Sequence, residues 1–409
     1  MSPTEDGLPS TDLPPPAGIR RSGADVLRVN PLEDPRWDAR LATCPAASFF
    51  HGSAWARVLH GTYGFTPVYF VLAPVPAMAE ARLRANTEVS PPASLPSQGP
   101  EPVEGLVEQT SRLLHESQAF SALLPMVEVN SWLTGRRGVS LPFTDECEPL
   151  SSDVDSFRRV VQAALEYARV RAWKYVEFRG GRALLGEVPA STSFFGHRLD
   201  LRGDQPAIFA RFDSSVRRAI RKAEQSGLTI EFSQDLEAVR LFYGLLCKTR
   251  QRHGVPPQPF RFFQNIQRHV LKENKGRVIL ARQGRVPVAG AVFFNSGMTA
   301  TYKFGASNEA FQHLRGNNLV MWEAIKWHAR QGFTTLDFGR TSLANDGLRK
   351  FKLGWGTQER TIDYVRYEVR TGRYVTATDE SSGWHNRVFR LLPTPVSRII
   401  GAALYRHVA

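Results

Sequence analysis

Two segments of this chain tell the same local story. The stretch ARVRAWKYVEFRGG, beginning at Ala168, lies against HARQGFTTLDFGRT, beginning at His328, with a helix end, a short strand and an acid-Phe tip in each. Glu177 and Phe178 mirror Asp337 and Phe338. A long internal repeat is the economical explanation, and it restricts the chain to folds that double one α+β unit. Two unrelated α+β halves would also share features at this level. A chain of 409 residues with 42% apolar content exceeds one typical domain, so two units are expected.

The second unit has the clearer order. From Leu228 it runs strand LTIEF, a helix from Ser233 to His253, a Pro-rich turn and a helix ending near Lys275. Strands RVILAR, PVAGAVFF and TATYKFG follow, then helix NLVMWEAIKWHARQG, strand TTLDFG, a short helix near GLRKFKLG and strand TIDYVRYEV. This is the element order of a GNAT acyltransferase domain. The first unit repeats much of it: helix SAWARVLHGTYG, strands PVYFVLA, SALLPMVEV and GVSLPF, helix VDSFRRVVQAALEYARVRA and strand KYVEFRGG. The expected class is therefore α+β, two tandem GNAT-like units, each a mixed, largely antiparallel sheet flanked by helices. Residues 1–24 are expected to be a disordered leader. The first unit spans 25–203 with a low-complexity insertion at 75–117, the second spans 204–370, and 371–409 form a basic amphipathic tail.

A formal charge of +13 favours an anionic partner. The charge concentrates in RRAIRKAEQSG, Arg217 to Gly227. At 100° per residue, Phe212, Val216, Ala219, Ile220 and Ala223 form an apolar stripe, while Arg217 and Arg221 stack on the opposite side with Arg218 and Lys222 beside them. Gly227 supplies the stop. Such a face either binds an anion, because Arg forks hold phosphate bidentately, or stays solvated. Cys44, Cys147 and Cys247 are odd in number and form no CxxC, which fits a reducing cytosol and argues against a thiolate zinc site. No metal site is expected. The acidic, proline-rich N-terminus is unlike a signal peptide and no apolar run reaches about 18 residues, so a soluble cytoplasmic protein is expected.

The motifs RRAIRKAEQSGL, YKFGASNEA, NNLVMWEAIKWHARQG, LDFGRTSLANDGLRKFKLGWG and DPRWDARLATCPAASFFHGSAWARVL, in that company, resemble the FemAB-related aminoacyltransferases. The resemblance covers roughly residues 30–370 apart from the insertion. It implies a double GNAT fold and amide formation on a cell-envelope precursor, with aminoacyl-tRNA as donor and a phosphate-bearing, UDP- or lipid-linked muropeptide as acceptor. It assigns Arg217 and Arg221 to acceptor phosphate, with Arg218 and Lys222 adjacent, and it places Phe351 and Lys352 at the family's FK pair near the aminoacyl ester. A lysine there stabilises the oxyanion formed when an amine attacks the carbonyl. The chain departs from the pattern at Leu59, where the bridge-forming members carry a phosphate-binding lysine; Arg57 and His60 are the neighbouring substitutes. It also lacks a coiled-coil arm. The closer likeness is to FemAB-like proteins found beside exopolysaccharide and exosortase systems.

Asp337, at a strand end, and Asp346 are the nearest acids for deprotonating an attacking ammonium, although an acid placed like Asp337 is more often a helix-capping or structural one. Tyr302, Lys303, Arg340 and Trp355 are candidates to line the groove between units. An acyl-CoA enzyme would need a glycine-rich loop at HLRGNNLVMWEA, where Asn317 and Asn318 stand instead, though Arg315 and Gly316 remain. No cofactor is expected beyond aminoacyl-tRNA or acyl-CoA as co-substrate, and no DNA partner. The alternatives are an acyl-CoA-dependent N-acyltransferase acting in exopolysaccharide synthesis and a non-catalytic binding protein. In the tail, Leu391, Leu392, Ile399, Ile400, Leu404 and Tyr405 form an amphipathic element whose basic flank suits peripheral contact with the inner membrane, or packing onto the second unit.

Overall fold

A computed structural model describes residues 26–73, 120–376 and 389–407, and among these described residues alternating and continuous apolar runs give sixteen strands. The leader and the insertion lie outside the described residues. A four-stranded sheet has the order β1 (Val26–Val29), β3 (Tyr69–Leu72), β4 (Ala122–Leu124), β7 (Leu150–Ser151). The larger sheet contains twelve strands. From one edge come β10 (Thr229–Ser233), β11 (Gly276–Gln283), β12 (Val286–Ser296), β13 (Thr299–Ser307) and β14 (Thr335–Ser342). From the other come β2 (Thr66–Pro67), β5 (Val127–Ser131), β6 (Gly135–Val139) and β8 (Tyr175–Arg179). Between them stand β9 (Thr192–Asp200) and β15 (Gln358–Glu368), with β16 (Arg373–Val375) paired to β15.

The repeat is visible in this order. In each unit an antiparallel meander ends in one parallel pair, β6 with β8 and β13 with β14. A helix precedes each second partner, Val154–Val170 and Gly316–Arg330. The first of these starts at Asp153, whose carboxylate accepts from Ser156 N at 2.7 Å, and buries Phe157, Val160, Val161, Ala164 and Ala168 along one face. Gly138 in β6 is required for this pairing, because the Trp173 ring lies where its Cβ would stand.

The closing strands are exchanged. β9, from the first half of the chain, pairs with β14, while β15, from the second, pairs with β8; β9 and β15 pair with each other. One sheet therefore runs through both units. Their largest core is also shared: Trp37, Trp55 and Tyr69 pack with Phe242, Phe262 and Phe294. Strand β9, TSFFGHRLD, is the longest of the strands that the sequence patterns did not reveal, with β1, β7 and β16 the others, and SALLPMVEV proves to be two strands, β4 and β5, in different sheets.

Candidate functional site at the exchanged strands

Parallel strands β13 and β14 stay paired only from Thr299 to Thr301, opposite Thr335 to Asp337, and then diverge. A bulge on β13 widens the gap: Val292 of β12 faces Phe304 and Phe293 faces Tyr302, so Lys303 is the extra residue. Bulges re-aim side chains, and here the Lys303 ammonium turns into the gap, with only 5% of its side chain exposed. On β14 a second irregularity sets Phe338 and Gly339 against the single residue His197, with Gly339 at φ +66°. A left-handed backbone of this kind suits glycine, and a Cβ there would meet the Asp145 carboxylate at 2.9 Å.

Asp145 comes from the first unit, in the segment after β6, and its carboxylate accepts from Lys303 Nζ at 2.8 Å. Burial alone would raise its pKa, but Lys303, Arg340 and Lys352 outweigh that and hold it below the usual carboxylate value. Lys303 is pushed down by burial, against the pull of Asp145.

Lys352 lies on the helix Asp346–Leu353 and is 2% exposed. Its ammonium donates to the carbonyls of Gly339 at 2.8 Å and Arg340 at 3.0 Å. Burial lowers its pKa to about 8, with Asp145 and Asp337 opposing. The expected oxyanion donor thus also clamps the tip of β14. Phe351 packs edge-on against Trp355 with ring centroids 6.1 Å apart.

Asp337 is committed to structure. One carboxylate oxygen accepts from Gly339 N at 2.7 Å and the other from Arg198 Nε at 3.1 Å, with Arg360 at 3.8 Å. Its counterpart Glu177 accepts from Arg366 at 2.8 Å, so the repeated acids hold matching cross-strand arginines. These contacts give Asp337 a structural task, tying the tip of β14 to the neighbouring strands. Asp346 is exposed in the first turn of its helix.

Of the proposed groove residues, Lys303 and Arg340 reach the junction. Tyr302 packs between Phe293 and Phe338, with its hydroxyl over Gly305, and burial pushes its pKa up to about 12. Trp355 does not line a groove: it is fully buried against Phe212 and belongs to the core beneath the basic helix. The aromatic character that suggested a groove wall is here packing.

Next to the junction is a cavity of about 380 Å³ that the sequence patterns missed. Arg137, Arg179, Arg340 and Arg366 line it with Tyr175, Tyr364 and a single acid, Glu177. Arg179 and Arg366 both bind Glu177, at 2.9 and 2.8 Å, and Arg137 donates to the Thr134 hydroxyl at 2.5 Å and the His407 carbonyl at 2.7 Å, so four arginines share the cavity with one carboxylate. Burial lowers the Arg137 pKa, and its arginine neighbours add to the effect. Arg340 donates to the Tyr364 hydroxyl at 2.8 Å, and that hydroxyl lies 2.8 Å from the Asp145 carbonyl oxygen. The arginines sit on four strands, β6, β8, β14 and β15, so no local motif announces them.

The basic helix, Ser214–Glu224, forms with the expected stripe: Val216, Ile220 and Ala223 are buried along with Phe212, and Gly227 has φ +66°. Arg218, Arg221 and Lys222 are exposed and Arg217 is half-buried. Arg217 donates to the Ala210 carbonyl at 3.3 Å, and Arg221 lies over the Phe209 ring at 5.8 Å. Among the described residues, no carboxylate pairs with any of the four. None of these four residues lines the arginine cavity. Leu59 is fully buried in the shared core, while Arg57 and His60 are exposed. At the start of the helix Gly316–Arg330, Gly316 is buried close to Ala289 and Arg315 is exposed with φ +58°. Among the described residues there is no group of acids, histidines and cysteines arranged to hold a metal.

Residues 210–359 match the acetyltransferase (GNAT) domain family. A search of curated proteins found no match. Among solved structures the chain is similar to FemX, at 14% identity over 83% of this chain and 96% of that one, with a TM-score of 0.58. A tandem GNAT protein from the clavulanic acid biosynthesis pathway aligns at 11% identity over 84% and 98% of the two chains, TM-score 0.47. The C-terminal domain of a putative lysylphosphatidylglycerol synthetase from Agrobacterium fabrum aligns at 13% identity over 60% and 80%, TM-score 0.43. The chain is therefore a double GNAT-fold protein similar to FemX over most of its length, and its second half carries an acyltransferase domain of the GNAT type.

Proposed function

We propose that this protein is an aminoacyltransferase that forms an amide on an amine of an anionic cell-envelope precursor, working in the cytoplasm or at the inner face of the membrane. The observation that carries the reading is the cavity with four arginines and one glutamate, lined chiefly by β6, β8, β9 and β15 and joined to the tip of β14 through Arg340. A concave, partly buried cationic site suits a compact anion such as an acceptor phosphate. The exposed arginine face of Ser214–Glu224 suits an extended polyanion, so charged tRNA is assigned there as donor rather than the acceptor phosphates first expected.

In the proposed step the neutral amine nitrogen attacks the ester carbonyl carbon of the aminoacyl group. The C–N bond forms, the C–O bond to the tRNA ribose breaks, and the proton lost by the amine is taken up by the departing alkoxide. The Lys352 ammonium, placed at the tip of β14, stabilises the oxyanion between these events.

A second reading, an acyl-CoA-dependent N-acyltransferase, is favoured by the family match over residues 210–359. The test is to incubate the purified full chain with aminoacyl-tRNA or acetyl-CoA, each with amine acceptors, and follow loss of the acyl ester. Discharge of aminoacyl-tRNA alone supports the first reading. Turnover of acetyl-CoA alone moves the assignment to the second, and turnover of neither leaves a double-GNAT binding protein.

A further inference from the structure

The helix Thr394–Leu404 is packed the wrong way round for a helix of a water-soluble surface. Its buried residues are Ser397 and Gly401, the small pair at i,i+4. Gly401 is set so tightly on the Pro257 carbonyl that a Cβ would meet it at 2.0 Å. Polar contacts finish the docking: Gln251 donates to the Leu392 carbonyl at 3.0 Å, Thr394 to Gln251 at 2.9 Å, and the Tyr405 hydroxyl to the Pro256 carbonyl at 3.1 Å. Ile400 and Leu404 are half-buried at the edge of this contact, and the remaining large apolar side chains point the other way. Ile399 is 71% exposed, Val396 41%, and Leu391, just before the helix, 86%. Ala402 and Ala403 complete an outer face that is apolar throughout. A surface helix ordinarily turns such a stripe inward.

A second exposed apolar group stands beside the helix end. At the tip between β5 and β6, Trp132 is 85% exposed and Leu133 54%. This tip is tied to the segment after the helix, because His407 shares a hydrogen bond with Ser131 Oγ at 2.9 Å and its ring lies 5.5 Å from that of Trp132. The surroundings are cationic. Residues 389–407 contain Arg390, Arg398 and Arg406 and no acid. Arg390 also shares a shallow hollow with Lys248 and Arg252, in which Glu309 is the one acid.

We propose that this face docks the protein on an anionic lipid bilayer, with Ile399, Val396 and Leu391 entering the acyl boundary, Trp132 at the headgroup level and the arginines on the lipid phosphates. Charge decides the occupant. A protein-binding face of this apolarity has no need of a rim that is almost wholly cationic, whereas exposed aliphatics and a tryptophan framed by arginines match the interface of an anionic leaflet. The inference stands apart from the acyl donor and acceptor assigned above.

Flotation of the full chain with vesicles of phosphatidylcholine plus phosphatidylglycerol, compared with phosphatidylcholine alone, tests it. The chain is expected to float with the anionic vesicles, and the doubly substituted Ile399→Ser, Trp132→Ser variant to bind them on the order of tenfold more weakly. Both side chains are exposed, so an unchanged thermal transition verifies that the variant is folded. Failure of the wild type to bind anionic vesicles overturns the proposal. So does undiminished binding by the variant, which would transfer the attraction to another basic surface such as the Ser214–Glu224 helix. A concentration-dependent dimer that the two substitutions abolish, without vesicle binding, gives the face to a second copy instead.

Discussion

The Lys352 ammonium donates to the carbonyl oxygen of Arg340 at 3.0 Å, while the Arg340 guanidinium lines the arginine cavity. One residue thus joins the buried lysine of the GNAT unit to the cationic hollow between the exchanged strands. The arrangement couples the proposed chemistry to the proposed acceptor site through one strand tip.

Lys352→Met keeps most of the stem and removes the charge. Two carbonyls lose their donor, so stability is expected to fall by roughly 1.5–3 kcal/mol, the usual range for hydrogen bonds from a charged group. Transfer rate, measured where the variant remains folded, is expected to fall about a hundredfold with little change in acceptor affinity. Loss of affinity at full maximal rate would reassign Lys352 to binding.

The depressed pKa of Lys352 gives a signed pH dependence. Burial brings the folded value to about 8 against 10.5 for an unperturbed lysine. Between these values the unfolded chain binds the extra proton, so this group makes stability rise with pH from about 8 towards 10.5. Below about 8 both states are protonated and its contribution is flat. Denaturant titrations across this window should show the rise in wild type and lose it in Lys352→Met. Because the oxyanion role needs the ammonium, the maximal rate should decline above about pH 8.

Asp145→Asn leaves Lys303 without its carboxylate partner in a buried gap. A stability loss of about 3 kcal/mol is expected, as for other broken buried pairs. Adding Lys303→Met should recover part of it. A simple sum of two losses in the double variant, read from denaturant midpoints, would show that the two residues do not act as a pair.

Arg137→Gln and the Arg217→Ala, Arg221→Ala double variant separate the two cationic surfaces. With pyrophosphate as a compact probe, binding measured by calorimetry should weaken roughly tenfold or more in the first and little in the second, because a desolvated guanidinium contributes more than an exposed one. With tRNA the order should reverse. Equal effects of both variants on both probes would refute the division of labour between cavity and helix.

The sequence by itself determined what depends on neighbours along the chain. The 3.6-residue stripe of Phe212, Val216 and Ile220, the stop at Gly227, and the repeated acid-Phe tips at Glu177 and Asp337 were legible because helix faces and strand ends are written within a few residues. The FK pair was legible as a motif, but not the carbonyl clamp around Lys352. Tertiary structure alone decided how the halves meet. β9 carries a glycine at 196 and polar residues at 197 and 198, which obscure its alternation, and its place between β14 and β15 depends on edges supplied by distant segments. The same holds for Asp145 beside Lys303 and for the four arginines of the cavity, because a side chain's electrostatic environment is set by whichever strands come together around it. Trp355 is the converse case: its residue type and motif suited a groove, and the packing of Phe212 and Phe351 against it made it core.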